Sequence, residues 1–227
     1  MTLADRLVIA IDGPSGSGKS STSREVARRL GIGYLDTGAM YRAVAVAFLD
    51  SGVAVDDTAG IIEATRSADI QVSLDPDQRW VRVNGRDVTE EIREPRTSEN
   101  VSAVSTIPEC RADLVERQRA LMDSAPDGVV AEGRDITTVV YPDADLRILL
   151  TASPEARLRR RRGDLDPEVT EDELRDQVLR RDEDDSKLVE FQTAAEGVTL
   201  LDTSDMGFEQ VVQTIIDMAR DAGRADA

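Results

Sequence analysis

The chain is expected to fold as an α/β protein, a parallel five-stranded sheet with helices on both faces. Three observations carry that expectation. Five short and nearly continuous apolar runs recur along its 227 residues. Each is bounded by Gly, Asp or Pro, the pattern of parallel strands covered on both sides. Helical stretches separate the runs, which is the alternation of an α/β sheet. The first run also leads directly into a glycine-rich loop and a helix.

Taken in order, Leu7 to Ile11 is the first strand and the loop follows it. Ser20 to Leu30 then reads as a helix that stops at Gly31, a C′ glycine. Gly33 to Leu35 is the second strand, and Gly38 to Ser51 a helix stopped by Gly52. From Asp69 to Arg93 the alternation breaks. Gln71-Val72-Ser73-Leu74 and Trp80-Val81-Arg82-Val83 precede Asn84-Gly85 and Arg86-Asp87-Val88. Asn-Gly between such runs is a strong hairpin signal, so a small antiparallel β insert is expected here. Gly128 to Ala131 and Leu146 to Leu150 are the third and fourth strands. Ser153-Pro154-Glu155 starts a helix, with serine at the N-cap and proline at N1. Arg157 to Leu188 is too charged for a core and reads as a helical lid. Val198 to Leu201 is the fifth strand. Phe208 to Ala219 is an amphipathic helix with Phe208, Val211, Val212, Ile215 and Ile216 on one face. A single domain is expected, with a core over 1–36, 98–152 and 189–227. Residues 37–97 would form a lobe carrying the β insert, and 153–188 the lid.

Hydrophobic residues make up 40% and charged residues 32%, ordinary values for a globular protein. The net charge of −17 is not ordinary. So acidic a surface repels nucleic acid and anionic lipid, so neither is expected as a partner. The single cysteine, Cys110, cannot form an intramolecular disulfide. That fits a reducing, cytoplasmic setting. No apolar run reaches the length of a signal-peptide core or a membrane span. With no histidine and one thiol, imidazole chemistry and structural zinc are excluded. No exposed apolar stripe demands a partner, so a monomer is expected.

The sharpest motif is Gly13-Pro14-Ser15-Gly16-Ser17-Gly18-Lys19-Ser20, a full match to G-x-x-x-x-G-K-[ST] between a strand and a helix. Its glycines let backbone N–H groups wrap the β- and γ-phosphates of a nucleotide at the positive end of the helix. Lys19 bridges those phosphates and the Ser20 hydroxyl coordinates Mg²⁺. The pattern serves GTPases, motor ATPases and small-molecule kinases alike. The guanine-reading N-K-x-D motif is absent, and a compact core with a polar lid favours a small kinase.

Arginines then speak to the acceptor. Arg42 lies one turn into the helix after the second strand, and Arg134 directly follows the third. Ligands of open α/β sheets bind beyond the carboxyl ends of the strands. Lys19, Arg42 and Arg134 should therefore share a crevice, which suits a phosphate acceptor held by forked hydrogen bonds. A phosphate monoester, with a second pKa of about 6, is largely dianionic at neutral pH. Such an acceptor needs no general base.

Together these segments resemble the bacterial cytidylate kinase family. The likeness rests on I-D-G-P-S-G-S-G-K-S at Ile11 to Ser20, L-D-T-G-A-M-Y-R at Leu35 to Arg42, and D-V-T-E-E-I-R at Asp87 to Arg93. It continues through V-S-A-V-S at Val101 to Ser105, E-G-R-D-I at Glu132 to Ile136, and R-R-D-E-D-D-S at Arg180 to Ser186. The resemblance implies ATP and Mg²⁺ as cofactors and CMP or dCMP as acceptor. It assigns Gly13 through Ser21 to ATP, Ser20 to the metal, and Arg42 and Arg134 to the acceptor phosphate. Thr37 also falls among the acceptor residues. Ser102, Arg111 and Asp135 would read cytosine, and Arg181 and Asp185 the sugar. Arg157, Arg160 and Arg161 would be lid arginines closing over the donor phosphates. The implied catalytic set is Lys19, Arg134, Arg157, Arg161 and Arg181. Three departures stand out: Lys187-Leu188 where the family usually has an arginine, no proline-leucine pair before Gly197, and Thr137 where glycine is commoner. The rival readings are a kinase of UMP or shikimate, a nucleotide-binding regulator without turnover, and a nucleic-acid-binding ATPase, which the charge disfavours.

Overall fold

The computed structural model describes residues 6–163 and 193–225. The expected five strands are β1 (Leu7–Asp12), β2 (Gly33–Asp36), β6 (Gly128–Gly133), β7 (Leu146–Thr151) and β8 (Thr199–Asp202). They form one sheet in the order β2-β6-β1-β7-β8, parallel throughout.

The two-residue period of β1 divides the core. Leu7, Ile9 and Ile11 point to one face, where they meet Val26 and Ala27 of α1 (Lys19–Leu30). The C-terminal helix packs on the same face through Val211, Val212, Ile215 and Ile216. Val8 and Ala10 point to the other face, against Met40, Val44 and Phe48 of α2 (Thr37–Asp50) and Leu114 and Met122 of α5 (Pro108–Ser124). Helices thus cover both faces, and β1 can be apolar at every position from Leu7 to Ile11. The C-terminal helix, α7, runs Phe208–Ala225, six residues past its expected end. Phe208 departs from expectation: at the start of the helix it stays 47% exposed.

The β insert has three strands: β3 (Ile70–Val72), β4 (Val81–Val83) and β5 (Arg86–Asp87). Val83 pairs with Arg86, leaving Asn84 and Gly85 as a two-residue turn with φ of 50° and 78°. Those positive angles are why Asn-Gly stands there. Val81, Val83 and Val88 pack on Ala39, Ala43 and Val46 of α2. The insert also reaches the main sheet, where the Tyr34 amide of β2 donates to the Leu74 carbonyl at 2.8 Å.

Three helices had no expectation attached: α3 (Thr58–Ser67), α4 (Pro95–Ser105) and α5. Helix α6 (Pro154–Gly163) begins where expected, with the Ser153 hydroxyl accepting from the Ala156 amide at 3.2 Å. The remainder of the expected lid, with Arg181, Asp185, Lys187 and Leu188, lies outside the described residues. Among the described residues no helix is long and apolar enough to cross a membrane.

Candidate active site

A cleft of about 680 Å³ opens at the carboxyl ends of the strands, between the glycine-rich loop, α2, α4 and the turn after β6. The loop needs its first glycine for space. A Cβ on Gly13 would lie 2.2 Å from the Leu150 carbonyl oxygen of β7. Helix α1 follows with no side-chain cap and no acidic residue in its first turn. Its leading amides are therefore available to an anion.

Glu132, the penultimate residue of β6, is the hub of the cleft floor. The Ser20 hydroxyl donates to it at 2.5 Å and the Tyr34 hydroxyl at 3.2 Å. The Lys19 Nζ sits 3.6 Å from its other oxygen. Burial pushes this carboxyl above its ordinary pKa, while Lys19 pulls it back down. Thr37 donates to the Glu132 carbonyl at 2.8 Å and so ties the start of α2 to β6. Asp36 caps α2 by accepting from the Ala39 amide at 3.0 Å.

Among the expected residues, Ser15, Gly16, Gly18, Lys19, Ser20 and Ser21 line the cleft from the loop side. Thr37, Arg42, Arg111, Arg134 and Asp135 line it from the facing side. Arg111 of α5 pairs with Asp135, whose carboxylate is buried. Arg134 donates to the Gly13 carbonyl at 2.5 Å, joining the turn after β6 to the loop. Ser102 is exposed, and α4 instead turns Ser98, Val101 and Ser105 toward the cleft.

Two of the expected lid arginines sit elsewhere than over the donor site. Arg157, 8% exposed, donates to the Ser15 carbonyl at 3.0 Å. Arg160 donates to the Ser17 carbonyl at 2.9 Å and to the Thr203 carbonyl at 2.6 Å. Neither lines the cleft; both grip carbonyls of the loop, which a guanidinium can serve as well as a phosphate. The Arg161 side chain, like Arg181 and Asp185, lies outside the described residues.

Residues the sequence did not single out complete the site. Arg24, Arg79 and Arg93 line the cleft beside Arg42. Burial lowers the pKa of Arg42; Arg93 and Arg134 push the same way, and Asp36 and Glu132 push back. Burial likewise lowers Arg79, with Arg93 and Arg24 adding repulsion. Among the described residues, the ion pairs that reach the cleft are Lys19–Glu132 and Arg111–Asp135. A molecule of charge −17 thus lines one cleft with seven cationic side chains and three carboxylates. Such a cleft focuses anions. Thr137 also has a place: its hydroxyl donates to Asp12 at 2.6 Å.

The chain is similar to known proteins in family, sequence and fold. The family model described as cytidylate kinase matches residues 9–221. A cytidylate kinase of Cutibacterium acnes is 47% identical, over 93% of this chain and 95% of that protein. One from Streptomyces avermitilis is 43% identical, over 95% of this chain and 93% of that protein. A solved structure of an uncharacterised protein from Eubacterium ventriosum has a similar fold, with a TM-score of 0.51 at 13% identity. That alignment covers 95% of this chain and 99% of the other.

Proposed function

The chain belongs to the cytidylate kinase family, and on that premise we propose that it transfers the γ-phosphoryl group of ATP to CMP or dCMP. The products are ADP and CDP or dCDP. The observation that carries this reading is a single cleft shared by the glycine-rich loop, an arginine clamp and the Arg111–Asp135 pair.

Each residue then has a role its chemistry supports. The loop from Gly13 to Ser21 and the free end of α1 hold the donor phosphates, and Lys19 bridges β and γ. Arg42 and Arg134 hold the acceptor phosphate. One of its oxygens attacks the γ-phosphorus in line as the bond to the β-phosphate oxygen breaks, and the electron pair leaves with ADP. The acceptor is already anionic, so charge neutralisation and alignment suffice. Asp135 accepts from the cytosine amino group and Arg111 donates to ring N3 and the 2-carbonyl. Uracil presents the opposite pattern at both atoms, which leaves buried polar groups unpaired. Arg181 and Asp185 are assigned to the sugar and Arg161 to the donor phosphates, while Arg157 supports the donor site by holding the Ser15 carbonyl, with the 37–97 lobe and 153–188 lid closing over both nucleotides.

The donor set at Ser20 fits Mg²⁺. Its hydroxyl spends its proton on Glu132 at 2.5 Å, which leaves the oxygen lone pairs for a hard cation. When bound, Mg²⁺ neutralises charge on the β- and γ-phosphates.

The test is ADP release from MgATP with CMP, dCMP, UMP, AMP, GMP and shikimate, against a no-acceptor control. Fast turnover with CMP and dCMP and slow turnover with UMP is expected. Equal turnover on CMP and UMP would overturn the roles of Arg111 and Asp135. No turnover with any acceptor would overturn the activity.

A further inference from the structure

Behind the cleft, one carboxylate joins the two loops that form it. Asp12 is the last residue of β1, immediately before the glycine-rich loop, and is 3% exposed. Its Oδ1 accepts from the Ile136 amide at 2.8 Å. Its Oδ2 accepts from the Thr137 amide at 2.9 Å and the Thr137 hydroxyl at 2.6 Å. All three donors belong to the turn after β6, the segment that carries Arg134 and Asp135 into the cleft.

These bonds differ in what they require. Any residue but proline at 137 would supply the amide. Only threonine or serine supplies the hydroxyl from this position. That hydroxyl is fully committed: Thr137 is buried, and its partner is a carboxylate whose pKa burial has pushed up to about 6. A buried carboxylate holds its charge only through donors of this kind. The glycine-rich loop is anchored separately, because Arg157 and Arg160 hold the Ser15 and Ser17 carbonyls. Farther along, the turn has a guanidinium grip of its own, where Arg119 donates to the Val139 and Val140 carbonyls at 2.6 and 2.8 Å and Arg147 reaches the Thr137 carbonyl at 3.5 Å; at the end next to Asp135 it is held by the Asp12 bonds and the Arg134 bond to Gly13. Meanwhile Arg111, the partner of Asp135, projects from α5. A small drift of the turn would therefore break the register between Asp135 and Arg111 while leaving the glycine-rich loop in place.

We propose that Thr137, through its hydroxyl bond to Asp12, is a positioning residue that sets acceptor affinity and base choice without touching the acceptor. The proposal rests on the cytidylate kinase reading above. It predicts a split between the two substrates. The acceptor side depends on the turn, and the donor side does not.

The experiment measures kcat and KM for CMP, UMP and ATP in the wild type, Thr137→Val and Thr137→Ser, with thermal melting as a folding control. Valine keeps the shape and removes the hydroxyl. Loss of a charge-assisted hydrogen bond and the resulting misplacement should raise KM for CMP by about tenfold and cut the CMP-over-UMP preference by about tenfold. KM for ATP should stay within about twofold, because the loop keeps its own anchors. Serine should restore wild-type values. Thr137→Ala, read in the same manner, covers the case in which valine does not fold. Unchanged CMP kinetics in the variants would overturn the proposal. So would a joint rise of both KM values, which marks a merely structural role. Absence of CMP turnover in the wild type would overturn the functional reading itself, and with it the proposal.

Discussion

Replacing Glu132 with glutamine should produce a protein that is less stable alone, binds nucleotide more tightly, and turns over more slowly. Glutamine keeps an oxygen to accept from Ser20 and Tyr34, so the change is chiefly the loss of one negative charge. The Lys19 Nζ lies 3.6 Å from the Glu132 carboxylate, with side-chain exposures of 13% and 3%. At an effective dielectric constant of about 20 that pair attracts by roughly 5 kcal/mol. Desolvation takes back part of this, as the raised Glu132 pKa indicates. The net loss on removing one partner of a buried pair is about 3 kcal/mol. The same carboxylate faces the place where donor phosphates bind, and there its charge opposes them. Glu132→Gln should therefore bind a non-hydrolysable MgATP analogue about tenfold more tightly, roughly 1.4 kcal/mol. The stability deficit should shrink by the same amount once the analogue saturates the site, because the two effects are linked. Turnover should fall, since Ser20 and Lys19 are held less firmly. Urea unfolding with and without the analogue, calorimetric titration and ADP release give the needed quantities. A variant of unchanged stability with weakened nucleotide binding would refute the reasoning, for it would make Glu132 a binding group rather than a counter-charge.

Three further outcomes are expected. Asp12 has a carboxyl raised to about 6 in the folded protein, by burial first and with Asp135 adding to it. The folded state therefore holds the proton longer than the unfolded chain. The stability this contributes is present in acid and lost as pH rises from about 4 through 6. Two pKa units amount to about 3 kcal/mol, visible as a pH-dependent gap between wild type and Asp12→Asn in urea unfolding. Arg160→Met frees the Ser17 carbonyl and Thr203; it should cost about 2 kcal/mol and raise KM for ATP several-fold while sparing KM for CMP. Gly85→Ala strains a residue at φ 78°; it should cost about 1 kcal/mol in melting experiments and leave turnover unchanged.

The centre of the sheet was legible because a strand buried on both faces is apolar at nearly every position, and β1 is buried from Leu7 to Asp12; β8 is apolar in pattern yet largely exposed, with Leu200 at 56%. The glycine-rich loop was legible because its backbone path excludes side chains, as the Gly13 approach to Leu150 makes plain. The Asn84-Gly85 turn was legible for a related reason, its positive φ angles. Helices α4 and α5 were not read, although Pro95 and Pro108 stand at their first turns, a start signal available in the sequence. Their mean character is polar, and that hid them. Glu132 stands within the E-G-R-D-I motif, but its place as a hub cannot be seen there, because its partners lie 98 and 112 residues away. Arg24, Arg79 and Arg93 could not be told from ordinary surface arginines, since proximity in the fold and not spacing in the chain brings them together. Arg157 and Arg160 show the converse: a charged run suggested groups waiting for phosphate, and the structure gives their guanidinium groups to backbone carbonyls.

The bond from the Tyr34 amide to the Leu74 carbonyl has a consequence for how movement of the insert could be followed. Tyr34 lies in β2, the edge strand of the main sheet, and its amide is satisfied by the insert rather than by another sheet strand. Any swing of the insert away from the sheet edge must expose that N–H to water. Deuterium uptake at this one position would then count opening events, while neighbouring amides of β6 and β1 exchange only with deeper unfolding. A slowing of uptake at Tyr34 on adding nucleotide would measure, in free energy, how far the ligands hold the insert shut.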